Sequence, residues 1–242
     1  MTFSIVAHCA RTGQLGVAVS TAVPAVGAMC PYVKAGVGAV STQSWVNPYL
    51  AIEALDLMQQ GRSGPDALSA VIEKDAAKDL RQIGVVDAQG RAASWSGQHC
   101  TEWFGHIVEA HFAAQGNMLV GEATIAEMAA AFRRDPSLDL AERMLLAMEA
   151  GQRAGGDKRG RQSASLKVYA DQDYALWDLR VDEHADPVTE LRRVYTIARL
   201  QLLPFVAGMP KKHVQAGALP ASVSEMLLKP PPERPGGGGS GP

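Results

Sequence analysis

Apolar positions follow two different periods along the chain, and the switches between them mark its organisation. Phe3 to Ala7 and Leu15 to Ser20 are short apolar runs separated by Arg11-Thr12-Gly13-Gln14, which predicts a hairpin that begins almost at the first residue. Gly36 to Thr42 is apolar on both faces, as a strand covered by a layer on each side must be. The period then becomes helical. Asn47-Pro48 opens a helix with a capping side chain and a proline at its first position, and Gly61 closes it. Pro65-Asp66 opens another, with Leu68, Val71 and Ile72 on one face.

Strand patterns return at Ile83 to Val86 and Ala92 to Trp95, joined by Asp87-Ala88-Gln89-Gly90, with a third stretch near Ile107 to Phe112. Two helical stripes follow, Ile125-Met128-Ala129-Phe132 and Ala141-Met144-Leu145-Met148; Asp139 and Glu142 offer a capping box to the second. Ser163 to Tyr169 alternates as a strand, and Tyr174 to Val181 is its expected partner.

Blocks of strands separated by helix pairs imply antiparallel hairpins with helices on the outer faces. The expected fold is α+β, a four-layer αββα sandwich of two antiparallel sheets between helix layers. The domain is expected over residues 2–203, its last helix at about 188–203 and ended by Pro204. Residues 204–242, which finish PPPERPGGGGSGP, read as a tail. No internal repeat is found.

Composition narrows the function classes. With 47% hydrophobic and 20% charged residues the chain can build a core, and a net charge of −2 supplies no field for nucleic acid. Thr12 to Val33 carries no charge, but its glycines, prolines and hydroxyls are unlike a membrane helix, so buried strands and turns are expected and no membrane partner. The start lacks the basic and apolar regions of a secretory signal. Three cysteines without a CxxC pair give neither a disulfide framework nor a zinc cage and favour a reducing, cytoplasmic setting. His99, His106 and His111 lack metal-site spacing, and Cys100 beside His99 on a strand would face the other way, so neither a metal nor a thiol nucleophile is expected.

Chemistry enters at the start. Methionine before a small residue is normally trimmed, which would leave Thr2 with an α-amine and a β-hydroxyl at the head of a buried strand. An α-amine of pKa about 7.7–8.0 can take the hydroxyl proton without a histidine. An amine-activated threonine is a recognised covalent nucleophile.

The segments MTFSIVA, GQLGVAVST, AVGAMCPYVKAGVGAVSTQ, AQGNMLVGE and LAERMLLAMEAGQRAGGDKRGRQSASL, in this order from Thr2 to about Leu203, resemble DUF1028, an uncharacterised family of the N-terminal-nucleophile (Ntn) hydrolase superfamily. The resemblance implies the αββα sandwich and an amidohydrolase with Thr2 as nucleophile, and it names no substrate. Lys34 occupies the place where proteasome-like relatives put a lysine near the threonine. A cation there would keep the amine neutral; the other reading is a solvated charge at a strand end. For the oxyanion the candidates are a backbone N–H near Gln43-Ser44 and the side chain of Asn117; Gln43 is otherwise a buried amide and Asn117 a turn residue. Asp157 is placed to orient the amine network, and Arg159 or Arg161 to grip a substrate carboxylate, unless that loop is simply a solvated basic one.

The expected activity is cleavage of a small-molecule amide C–N bond through a threonyl ester, with no cofactor and with removal of Met1 as the maturation step. The rival is a binding or assembly module that keeps the fold without the chemistry, and a homo-oligomer is compatible with either.

Overall fold

The structure, a computed structural model, describes residues 2–214 and 219–228. Contacts within the chain divide it into two units, residues 1–192 and 193–242. The first unit contains ten strands. They are β1 (Thr2–His8), β2 (Leu15–Thr21), β3 (Pro31–Lys34), β4 (Gly38–Ser44), β5 (Arg81–Asp87), β6 (Ala92–Ser96), β7 (Gly105–Glu109), β8 (Phe112–Asn117), β9 (Ser163–Tyr169) and β10 (Ala175–Val181). Six form one antiparallel sheet in the order β10-β9-β2-β1-β8-β7, and four form the other in the order β3-β4-β5-β6.

Helices α1 (Pro48–Gln59) and α2 (Gly64–Lys74) cover the four-stranded sheet; α3 (Ala123–Arg133) and α4 (Leu140–Arg153) cover the six-stranded one. The expected αββα sandwich is thus the fold. Asn47 caps α1 by accepting from the Tyr49 N–H at 3.1 Å, and Ser63 caps α2 by accepting from Asp66. Leu50, Leu55, Met58, Leu68, Val71 and Ile72 bury one face of these helices against Val40, Ile83 and Val85. Each such side chain contributes about 1.5–3 kcal/mol on leaving water.

Strand alternation puts every second residue between the two sheets. At one end of the sandwich this inner layer is apolar, made of Val6, Leu15, Val17, Ala39, Val86 and Ala113. Toward the other end the same faces present Thr2, Ser4, Thr21, Gln43, Gln82, Gln115 and Asn117, all buried.

Several expectations need correction. The sequence reading missed β3, a four-residue strand opened by Pro31. The single strand near Ile107 to Phe112 is two strands, β7 and β8, joined at Ala110-His111, where His111 takes a positive φ of 75° that nothing in its residue type announces. The Asp139 side chain makes no cap to α4, and Glu142 accepts from Arg192 instead. Pro204 does not stop the last helix. Helix α5 (Pro187–Gln201) ends before it, and Pro204 sits in the first turn of a further short helix, α6 (Leu203–Gly208), where its missing N–H costs nothing. A last helix, α7 (Ala221–Leu228), falls inside the expected tail, whose residues 229–242 lie outside those described, as does Met1.

Candidate active site

Thr2 heads β1 in the middle of the six-stranded sheet, opposite Thr21 of β2 on one side and Asn117 of β8 on the other. It is 6% exposed, so the start of the described chain is fixed in the sheet. Phe3 faces the α3–α4 layer, where it meets Gly151 and Gly156, and alternation therefore turns Thr2 and Ser4 toward the second sheet. The Thr2 hydroxyl lies 3.2 Å from the Thr21 hydroxyl.

Beneath it runs a buried amide network. The Gln43 Nε2 donates to Gln82 Oε1 at 2.8 Å, to the Thr2 carbonyl at 3.3 Å and to the Gln115 carbonyl at 3.4 Å. Its Oε1 accepts from Ser4 Oγ at 2.6 Å. Asn117 Nδ2 donates to the same Gln82 Oε1 at 2.8 Å, and Gln82 Nε2 donates to Ser96 and to the carbonyls of Gly105 and Gly116. Gln115 fits only because residue 84 is glycine; a Cβ there would stand 2.2 Å from its Oε1. Such a network, with its members bonded to one another, fixes Thr2 and its neighbours in one arrangement.

The backbone is strained around this end. Ala25, Ser44 and Met118 have φ of 56°, 68° and 51° without being glycine. Ser44 follows Gln43 and Met118 follows Asn117, so each strand carrying a network side chain is turned sharply aside as soon as it has delivered it. Non-glycine residues held this way cost about 1–3 kcal/mol each and cluster at functional sites. The left-handed residue of the 116–118 turn is Met118, and Asn117 is the last residue of its strand.

Asp157 has its carboxylate one residue beyond Thr21. It accepts from Ala22 N–H at 3.0 Å and Arg159 N–H at 2.8 Å, and Arg159 Nη2 lies 3.3 Å away. An isolated bridge joins Asp157 to Leu119, two residues past Asn117. The carboxylate thus ties the loop between α4 and β9 to the ends of β2 and β8. Arg161 is directed elsewhere, paired with Asp186 at 3.3 Å in a groove of about 290 Å³ that it lines with Arg153 and Arg192.

Lys34 is not brought to this cluster. It ends β3 opposite Gly38, whereas Gln43 stands five residues further along β4, roughly 17 Å away at the rise of a strand. Its ammonium donates to Gln59 at the end of α1. The nearer position on that strand is its start, where Cys30 is buried against Val19, Val26 and Val46 and burial pushes its thiol up to about 12. Burial also raises Cys100, whose Sγ donates to the Arg81 carbonyl at 3.4 Å. Neither thiol is prepared to ionise.

Thr2, Gln43 and Asn117 therefore meet, Asp157 and Arg159 stand one shell out, and Arg161 and Lys34 stand apart. Sequence reasoning missed Thr21, Ser4, Gln82 and Gln115. The available signal was a polar residue at every second position near the end of an otherwise apolar strand.

Among the described residues, no three His, Cys, Asp or Glu side chains gather as a metal site, and no helix is long and apolar enough to cross a membrane. No curated protein matches the chain. Among solved structures, protein SPO2555 from Silicibacter pomeroyi, a DUF1028 protein, is 27% identical and superposes with a TM-score of 0.83, over 90% of this chain and 96% of that one. Anbu, an ancestral beta-subunit, from Yersinia bercovieri is 12% identical with a TM-score of 0.39, over 86% of this chain and 98% of its own. The Gly-1 mutant of Anbu from Hyphomicrobium sp. strain MC1 is 14% identical with a TM-score of 0.40, over 85% and 99%. These last two likenesses are too loose to bear on the site. The model of DUF1028, a family of unknown function, matches residues 2–191, and the chain belongs to that family.

Proposed function

We propose that the chain is an N-terminal-threonine amidohydrolase acting on small molecules. The observation that carries this reading is Thr2 itself, a hydroxyl residue at the head of a central strand, buried, with its carbonyl held by Gln43 and its hydroxyl beside Thr21. Once Met1 is removed, the Thr2 amine takes the proton of its own hydroxyl, and the oxygen adds to the amide carbonyl carbon. Collapse of the tetrahedral species breaks the C–N bond, and the leaving amine departs with that proton. Water then cleaves the threonyl ester, releasing the carboxylic acid and restoring the hydroxyl.

Roles follow from what each side chain still has to offer. Asn117 Nδ2 carries two hydrogens, one given to Gln82, and we assign the other to the oxyanion. The Gln43 side chain is a positioning group for Thr2, because its hydrogens are engaged. Asp157 positions the end of β2 and the amine beside it, and Arg159 offers the nearer guanidinium for a substrate carboxylate. Lys34 has no part in this scheme.

The engaged state of Gln43 also favours a second reading, a binding or assembly module that keeps the sandwich without chemistry. One experiment separates the two: intact-mass spectrometry to find Thr2 as the first residue, followed by a screen of N-acyl compounds for released amine, with Thr2→Ala as control. Hydrolysis lost in Thr2→Ala supports the enzyme. Retained Met1, or hydrolysis unchanged in the variant, overturns it.

A further inference from the structure

At the opposite end of the first unit lies a cavity of about 320 Å³, at the lower end of the range for ligand pockets. The β1–β2 loop, the β7–β8 turn, the end of α3 and the first turn of α4 enclose it, and Cys9, Arg11, His111, Phe132, Pro136 and Arg143 are among its lining. We propose that it binds a small ligand bearing an oxyanion, carboxylate or phosphate, next to an apolar body.

The reason is an imbalance of charge. Arg81, Arg91, Arg133, Arg159, Arg161, Arg180 and Arg192 each have a carboxylate within 3.3 Å. Among the described residues Arg11 and Arg143 have none within salt-bridge reach, as is also true of Arg62, Arg134, Arg153 and Arg199; what sets the exposed Arg11 and the half-buried Arg143 apart is that both line this one cavity. Both are held by backbone carbonyls. Arg11 Nη2 donates to Ser137 at 3.0 Å and Leu138 at 3.4 Å, and Arg143 donates through Nε and Nη2 to Phe132 at 3.2 and 3.1 Å. Those bonds fix each guanidinium and leave further N–H donors on its fork. The cavity's own carboxylate, Glu109, is paired with Arg133, and nearby Asp135 accepts from Ser137.

Arg143 is half-buried, and taking its charge out of water costs free energy that a bound anion would offset. Burial pulls its pKa down; Cys9 and the Asp135 carboxylate oppose that shift, and the charge of Arg11 adds to it. Cys9 belongs to the same lining. Burial pushes that thiol up, but hydrogen bonds from Thr12 and the backbone, with the charge of Arg11, bring it net below its ordinary value. The apolar portion has a floor: Phe112 and Phe132 lie 4.9 Å apart, and the Arg143 guanidinium stacks 3.9 Å over the Phe132 ring. His111, held at its positive φ and 3.0 Å from His8, adds a polar wall.

The test is calorimetric titration of the full chain with benzoate and, separately, inorganic phosphate at constant ionic strength, with chloride as the control. A single saturable site for either anion is expected, and the stronger one tells which oxyanion the site favours. R143Q should weaken that binding at least tenfold. Because Arg143 also caps α3, R11Q provides the variant least able to disturb folding, and it should weaken binding several-fold with an unchanged melting temperature in chloride. No saturation by either anion beyond the chloride signal, or full affinity retained in R11Q, would overturn the proposal. The readout is binding, so its failure leaves the assignment of Thr2 where it stands.

Discussion

The two ends of the sandwich solve the problem of buried polarity in opposite ways. At the Thr2 end the polar groups are neutral hydroxyls and amides, and they bond to one another: Ser4 to Gln43, Gln43 to Gln82, Asn117 to Gln82. At the far end the exposed Arg11, the half-buried Arg143 and a stacked histidine pair line a cavity whose one lining carboxylate, Glu109, is taken by Arg133. A network of neutral groups bonded to one another fixes one geometry, which suits a nucleophile that must stand still. An unbalanced charge asks for a counter-charge, which suits a ligand. The contrast can be broken from either side, most severely by removing Thr2.

Thr2→Ala is expected to lower hydrolysis by roughly 10³-fold or more while leaving the melting temperature nearly unchanged, measured by amine release and calorimetry. Next in size is Gln82→Leu. It removes the acceptor of the buried Asn117 amide and one of the three acceptors of Gln43, and the orphaned Asn117 donor should cost about 1–3 kcal/mol in urea unfolding, with hydrolysis falling alongside. Gly84→Ala tests the same network from its back. The new methyl displaces the Gln115 side chain, at about 1–3 kcal/mol in unfolding free energy.

The far end should show itself in the dependence of stability on pH. Burial, and then the charge of His111, lower the His8 pKa, with Asp87 opposing. A histidine lowered in the folded state is neutral there while the unfolded chain takes up protons. Its stabilising contribution is therefore complete above the unfolded value of about 6.5 and is lost as pH falls through the folded one. The urea midpoint should be lower at pH 5.5 than at pH 7.5, and His8→Asn should flatten part of that difference. Asp75 is held below the usual carboxylate range by its hydrogen bond from Arg81. Asp87, which burial alone would raise, is held there by bonds from Gly64 and Arg91. Both stay ionised across this window and do not confuse the comparison. The smallest effect belongs to Lys34→Ala, which should leave hydrolysis within about twofold of the parent.

What was legible in the sequence follows from how far each signal reaches. The hairpin that begins the chain, the Asn47 cap and the Ser163 to Tyr169 strand are set by alternation and capping within a few residues, and they were read closely. The β3 strand is only four residues long and begins with proline, too short to show a period. The β7–β8 turn was hidden because its positive φ falls on His111, where a glycine or asparagine would have announced it. At the site, the placing of Thr2 at the head of a buried strand could be read because the alternation that buries it lies in the residues next to it. The glutamine network could not, since Gln43, Gln82 and Gln115 meet only when two sheets stack. Lys34 was assigned by analogy to the start of the strand read at Gly36 to Thr42, but it ends the separate strand β3, a difference visible only once the limits of both strands were known.

The central claim is that Thr2 is a free N-terminal nucleophile, and covalent labelling tests it most directly. The purified chain is treated with an acylating electrophile such as a β-lactone, and its mass and peptide map are recorded. The expected result is a chain lacking Met1 that gains one acyl group on the Thr2 hydroxyl, a gain absent from Thr2→Ala. A chain that keeps Met1, or an equal gain in the variant, would contradict it.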